Sequence, residues 1–237
     1  MQLISQILLF LHIAAGFLSL GIFWIPIFTK KGGINHRHLG KLYLIFMWVV
    51  VISAALLSVK NVLVGRYQMA AYLGFIALIT ARPLWYGVAI LNQKKGLSPS
   101  FQAKHLWFRA AILLASAALI SFGIYLEGKN VAVLMFIFGG LGMADLPRFL
   151  KDAKQPVTDA NWLKQHIVGM CTSGIAAYTA FFVFGANQFL AGLLPGYWAV
   201  IPWVAPTIVG TIGIKYTLKK YGLKKKKSTP PINSQLA

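Results

Sequence analysis

Seven long apolar runs, separated by short polar connections, dominate the sequence. They lie near residues 4–28, 40–58, 69–91, 106–125, 130–148, 162–188 and 197–217. A helix needs roughly 20 mostly apolar residues to cross the hydrocarbon core of a bilayer, and the runs approach or exceed that length. Short connections make consecutive helices antiparallel neighbours. The pattern therefore predicts an all-α bundle of seven transmembrane helices, formed by a single domain over residues 1–222.

The composition agrees with this pattern. The chain has 237 residues, of which 58% are hydrophobic and only 11% are charged, and its mean hydropathy is +0.69. A soluble domain of this length needs more polar surface, so we expect an integral membrane protein. The single cysteine, Cys171, excludes an internal disulfide.

The charge is strongly positive and unevenly placed. The net charge of +19 comes from 23 Lys and Arg residues against 4 Asp and Glu residues. In a soluble protein this excess of positive charge would indicate nucleic-acid binding. Here, however, most of the basic residues follow the first, third, fifth and seventh apolar runs. Positive charge collects on the cytoplasmic side of membrane proteins. We therefore predict no nucleic-acid partner, an outer N-terminus and a cytoplasmic C-terminus in a bacterial cytoplasmic membrane.

Residues 223–237 form a separate segment with its own composition. Four consecutive lysines, Lys224 to Lys227, precede Ser228, Thr229 and two prolines. A lysine near an anionic leaflet is stabilised by about 1 kcal/mol. The segment is predicted to be a basic disordered cytoplasmic tail, and the basic face of the protein is predicted to contact anionic lipid. A tail that binds a protein partner is the alternative.

Histidines recur at the starts of alternate runs. His36 and His38 precede the second run, and His105 precedes the fourth. His166 lies in the more polar first residues of the sixth run, directly before Ile167. If these three runs enter the membrane from one side, their histidines lie at one depth. Helix N-termini disfavour imidazolium and favour neutral imidazole, the form that binds metals. They also attract anions. The layer therefore suits either a metal or haem, or an acidic headgroup or substrate.

Two of these positions leave alternatives open. His36 and His38 are two residues apart and cannot both face the bundle interior, and we take His38 as the inward one. Alternatively, Asn35 caps the helix and both histidines merely fill its first turn. Met170 lies four residues after His166, so one helix offers two soft ligands. Met170 is alternatively a packing residue.

Arg82 is the charged residue within the third run, directly before Pro83. A charge at the bilayer centre costs about 2.5–3.5 kcal/mol on insertion scales, so Arg82 should face the bundle interior. Asp145, the acid within the fifth run, offers a partner for Arg82 or for Arg148. The functional alternative makes Arg82 a counter-charge for an anionic ligand. His12, in the outer part of the first run, belongs either to a second site or to a structural hydrogen bond.

Three segments carry a family signal. They are Leu11–Gly16, His36–Tyr43 and Trp162–Met170, the last followed by Thr179, Ala180 and Phe181. These segments resemble a family of bacterial polytopic membrane proteins of unknown function, domain of unknown function 2306. The resemblance covers the first two runs and the sixth. The resemblance implies a membrane location and marks His12, His38 and His166 as candidate functional residues. It does not imply any reaction.

The functional hypotheses follow from the histidines and Arg82. The first is a redox protein with a haem b, metal or quinone site near the cytoplasmic side, with His38, His105 and His166 as ligands and Arg82 as counter-charge. The second is a carrier or channel for a small anion or protons. The third is a membrane hydrolase in which the same histidines and Asp145 bind a transition metal such as zinc. A non-catalytic membrane protein is the remaining alternative, and no soluble-type catalytic motif is present.

Overall fold

The computed structural model describes residues 2–126, 130–154, 161–186 and 201–223, and within these ranges it is helical without a strand. The helices are α1 Gln2–Phe28, α2 Ile34–Leu63, α3 Tyr67–Ala89, α4 Pro99–Tyr125, α5 Asn130–Met143, α6 Leu146–Lys154, α7 Trp162–Ala180 and α8 Ile201–Lys220. A 3₁₀ turn at Ile90–Asn92 continues α3, and a π-helical turn at Phe181–Gly185 continues α7. The expected all-α class is confirmed.

Six helical segments of the described chain are long and apolar enough to cross a membrane. They comprise α1 to α4, α5 together with α6, and α7 with its π-helical turn. The seventh predicted run corresponds to α8, which has 20 residues. Its predicted start at 197 and the tail from 224 onward lie outside the described residues. The helices make the chain a multi-pass membrane protein, whereas its orientation stays a prediction.

Local sequence signals explain where several helices begin. Gly32 has a φ of 75°, a conformation that glycine adopts at little cost, and α2 begins two residues later. Gly33 is the N-cap of α2, so the expectation that Asn35 caps this helix is wrong. The Ser98 side chain accepts a hydrogen bond from the Phe101 N–H at the start of α4. Asn161 caps α7 in the same way.

The fifth predicted run is interrupted. It forms α5 up to Met143 and then α6 from Leu146, rather than one helix over 130–148. Proline is tolerated in the first turn of a helix, where its missing N–H needs no partner, but not in the interior. Pro147 is the second residue of α6, and it therefore favours a new helix start at this point.

The centre of the bundle is α3, which packs against α2, α4 and α7. One core joins α2 to α3 through buried Met47 and Leu84. A second core joins α3, α4 and α5 and includes Phe75 and Met135. This arrangement places the ends of α1, α2, α3, α7 and α8 around one cavity.

Candidate functional site

A cavity of about 660 Å³ opens among the C-terminal ends of α1, α3 and α8 and the N-terminal ends of α2 and α7. Many of the lysines and arginines lie at this end of the bundle, which we call the basic end. The volume falls within the range of small-molecule sites. The walls are mainly apolar and include Phe23, Pro26, Ile27, Leu44, Val88, Leu91, Leu163, Ile167 and Met170.

Two histidines line the cavity in equivalent ways. Nδ1 of His36 lies 3.0 Å from the Pro26 carbonyl oxygen, and Nδ1 of His166 lies 2.6 Å from the Gly87 carbonyl oxygen. Both carbonyls belong to the last turn of a helix, where backbone oxygens lack helical partners. A carbonyl only accepts, so each Nδ1 carries the proton. In a neutral ring this leaves Nε2 with a free lone pair.

The two imidazoles are close together. Their ring centroids are 6.3 Å apart, and the ring planes are inclined at 70°. One ring comes from the first turns of α2 and the other from the first turns of α7, so the pair joins two helices that are far apart in the sequence. Within the described chain neither Nε2 atom has a hydrogen-bond partner, so both are available to a ligand.

A close helix crossing sets the position of His166. A Cβ atom added to Gly169 would lie 2.7 Å from Gly87 Cα and 3.1 Å from the Pro83 carbonyl oxygen. The backbones of α3 and α7 are thus in direct contact, which is the usual role of small residues between membrane helices. This contact brings the Gly87 carbonyl within reach of the imidazole of His166, one turn earlier on α7.

The mouth of the cavity is positively charged. Lys31, Arg37, Lys41 and Lys94 line it, and none of its described lining residues is Asp or Glu. Lys31 Nζ donates to the Pro26 and Ile27 carbonyl oxygens at 2.7 and 2.9 Å. Burial lowers the pKa of Lys31, an effect that nearby Cys171 opposes and Lys220 reinforces. An apolar cavity with such a mouth suits an amphipathic anion.

The choice of His38 as the inward histidine is wrong. His38 is exposed, whereas His36 lies in the cavity wall. The expectation that only one of the two faces inward agrees with the structure. Residues two apart point in different directions on a helix, and the start of α2 at Ile34 turns His36 toward the bundle.

His105 does not join the other two histidines at the cavity. Its ring contacts Tyr86 and Phe101, with centroid distances of 4.5 and 6.4 Å, and its buried Nδ1 has no partner among the described residues. The sequence pattern placed the start of this helix near 106, but α4 begins at Pro99. His105 therefore lies inside the helix, facing α3, and the predicted layer of three imidazoles reduces to a pair.

Asp145 lies in a separate ionic cluster. The Arg82–Asp145 pair expected from the sequence is present at 3.8 Å, but the closer partner is Arg109, whose Nε donates to Asp145 Oδ2 at 2.7 Å. Arg109 is 2% exposed and also donates to Asp152 Oδ2 at 2.5 Å. Arg148 is exposed and makes no ion pair with Asp145 in the described chain. Arg82 thus already has a protein counter-ion.

Sequence reasoning missed Arg109, although a signal was present. It lies three residues inside the predicted fourth run, where an unpaired charge is costly, so its position in the sequence already indicates a buried partner. The structure shows that it is the most buried basic residue of the described chain.

The four residues predicted to bind a metal are not brought together. His38 is exposed, His105 packs on α3, His166 lines the cavity and Asp145 is ion-paired. Across the described ranges, no three His, Cys, Asp or Glu side chains are grouped as a metal site. A metal held by protein side chains alone therefore has no complete ligand set in that part of the chain.

The remaining candidates have defined places. His12 Nδ1 lies 3.2 Å from the Val50 carbonyl oxygen and 2.9 Å from Ser53 Oγ, which is the structural hydrogen bond considered as one alternative. It joins α1 to α2, away from the cavity. Met170 lines the cavity one turn after His166, as the helical spacing predicted.

Comparison of the chain with protein-family models, with curated proteins and with solved structures finds no match. Membrane location is supported by the apolar helices themselves. The family resemblance stays a prediction, and any function must be argued from the cavity and its residues.

Proposed function

We propose that the chain is a membrane redox protein that binds a b-type haem in the cavity at the basic end, with His36 and His166 as its ligands. The observation that carries this proposal is the pair of imidazoles, each with Nδ1 on a helix-end carbonyl and with Nε2 unpartnered among the described residues. The proposal keeps the redox class inferred from the sequence. It replaces His38 and His105 by His36.

The spacing of the rings fits two ligands on one metal. Imidazole nitrogen lies about 2.0–2.1 Å from a bound metal ion, and the ring centre lies about 1 Å further away. Two imidazoles that would hold one metal ion must have centroids within about 6 Å of each other, and the 6.3 Å found here is close to that limit. A hydrogen bond from the far ring nitrogen to a carbonyl is the usual means of orienting a ligand histidine.

The rest of the cavity suits the same group. A porphyrin supplies four nitrogen ligands itself, so one or two side chains complete the iron site and a three-residue metal cluster is not required. The apolar walls suit contact with the apolar faces of the macrocycle. Lys31 and Arg37 at the mouth could form ion pairs with its two carboxylates. When bound, haem iron supplies one-electron transfer. His36 and His166 would hold and orient the group, and the apolar walls would surround it.

A hemin titration of the purified, full-length chain in detergent tests this proposal. Free hemin already has a Soret band, so binding is measured as a shift and sharpening of that band. We expect the shift to saturate at one equivalent, with at least about a tenfold loss of affinity in His36→Ala and in His166→Ala. His38→Ala is the matched control, because His38 has the same chemistry two residues away but is exposed. No shift of the band with the wild-type chain, or an equal loss in His38→Ala, would contradict the proposal.

A quinol is the second candidate, favoured by the free lone pairs. A quinol hydroxyl donates to an unprotonated Nε2, and an isoprenoid tail matches the apolar walls. The indole of Trp162 lines the same cavity, so an occupant should quench its share of the fluorescence of the seven tryptophans. Quenching by a short-chain quinol that is lost in His166→Ala, in a chain that does not shift the Soret band of hemin, would favour this candidate over haem.

A further inference from the structure

One buried arginine binds both acidic residues that the structure describes, whose side chains are 23% and 27% exposed. The chain has four Asp and Glu residues, of which the structure describes two. Asp145 directly precedes α6, and Asp152 lies within it. Arg109 of α4 donates to both carboxylates, and to the Asp145 carbonyl oxygen at 3.4 Å. Its guanidinium carbon also lies 5.9 Å from the ring centre of Phe149. One buried side chain therefore contacts Asp145, which precedes α6, and two successive turns of the inner face of that helix, at Phe149 and Asp152.

The outer face of α6 keeps only positive charge. Arg148, Lys151 and Lys154 are exposed, and none of them forms an ion pair within the described chain. They recur every three residues, so they lie along one flank of the helix. Leu150, beside this flank, is 49% exposed. The helix thus presents three uncompensated cations next to apolar surface.

We propose that α6 is a binding site for anionic phospholipid, with Arg148, Lys151 and Lys154 on the phosphate headgroup and Leu150 against the acyl chains. Its place in the chain supports this occupant. The helix forms the C-terminal end of the apolar segment Ala132–Lys154, which is long enough to cross a membrane, so it lies at the membrane boundary where headgroups are found. Arg109 orients the site by keeping Asp152, the acid of this helix, turned away from the lipid.

The test measures the shift in melting temperature of the full-length chain in detergent on adding phosphatidylglycerol, against phosphatidylcholine as the zwitterionic reference. We expect phosphatidylglycerol to stabilise the wild-type chain. The variant Arg148→Gln/Lys151→Gln/Lys154→Gln should require about fivefold more of this lipid for each charge removed. Its melting temperature in phosphatidylcholine should match that of the wild type, because all three residues are exposed.

The matched control is Lys30→Gln/Lys95→Gln/Lys104→Gln, which removes three exposed charges elsewhere at the basic end. The control should retain the response to phosphatidylglycerol. An equal loss in both triple variants would overturn the site in favour of diffuse attraction to the whole basic end. An unchanged response in the α6 variant would also overturn it. A full response to inorganic phosphate at equal ionic strength would show a free anion rather than a lipid.

Discussion

Two polar regions lie at the basic end, and they differ in how far their charges are satisfied by the protein. Around Arg109, two carboxylates and a backbone carbonyl occupy one guanidinium. Around His36 and His166, only Nδ1 of each ring is occupied, and the cations at the cavity mouth face no described acid. The first region engages the Arg109 guanidinium within the protein, although the buried Nε of neighbouring Arg82 has no partner in the described chain. The second region leaves the Nε2 atoms of its two histidines for a ligand.

The difference separates structure from function. A buried ion pair with complete partners is costly to break, but it offers nothing to a ligand. Free lone pairs and unpaired cations in an apolar cavity lower stability unless a ligand uses them, and such groups are therefore retained at sites. Both regions looked alike in sequence, as isolated polar residues in or beside apolar runs.

Among these variants, Arg109→Met should give the largest effect, and that effect should be on the free energy of unfolding alone. Removing the guanidinium leaves Asp145 and Asp152 without their main partner, so we expect a loss of about 3–5 kcal/mol in the free energy of unfolding in detergent. Adding Asp145→Asn and Asp152→Asn should recover part of this loss. Arg148→Met, at an exposed position, should change stability by less than about 0.5 kcal/mol. Equal effects of the two methionine variants would remove the distinction between the regions.

Gly169→Ala should affect the cavity as well as stability. The added methyl group would meet the backbone at Gly87 and push α7 away from α3, at a cost of about 1–3 kcal/mol. His166 would then move from its carbonyl partner, so hemin affinity should fall in the same variant. Gly140→Ala is the control, because no atom lies within 4 Å of its added Cβ. A Gly169→Ala chain with unchanged stability and hemin affinity would refute the positioning role of this crossing.

Amine labelling of Lys31 should give a smaller and more local effect. Burial lowers the pKa of Lys31, so its neutral, reactive form appears at lower pH than in the unfolded chain, whose lysines titrate near 10.4. An anion in the cavity stabilises the ammonium form and raises this pKa. Mass spectrometry of acylated peptides across a pH series should show that Lys31 is labelled at a lower pH than an ordinary lysine. After hemin is added, labelling of Lys31 should require a higher pH. If hemin leaves the labelling of Lys31 unchanged, Lys31 does not belong to the hemin site.

The sequence predicts the helices well because apolar run length depends on local composition alone. The run near 69–91 corresponds to α3, Tyr67–Ala89, within two residues. Breaks are harder to predict, as the separation of α5 from α6 at Pro147 shows. The spacing of His166 and Met170 also predicts their shared face, since both lie on one continuous helix.

The site was only partly predictable because it depends on helix phase and on contacts between distant helices. Whether His36 or His38 faces inward is decided by where α2 begins, and the turn at Gly32 sets that start. The carbonyl partners Pro26 and Gly87 carry no side-chain signal at all. They become partners through the folded positions of α1 and α3.

The length of α2 has a consequence for the surrounding bilayer. Its 30 residues extend about 45 Å, whereas an average hydrocarbon core is about 30 Å thick. A helix of this length either tilts away from the membrane normal or projects beyond the hydrocarbon. Because α2 packs along both α1 and α3, a tilt of α2 would be shared by its two neighbours.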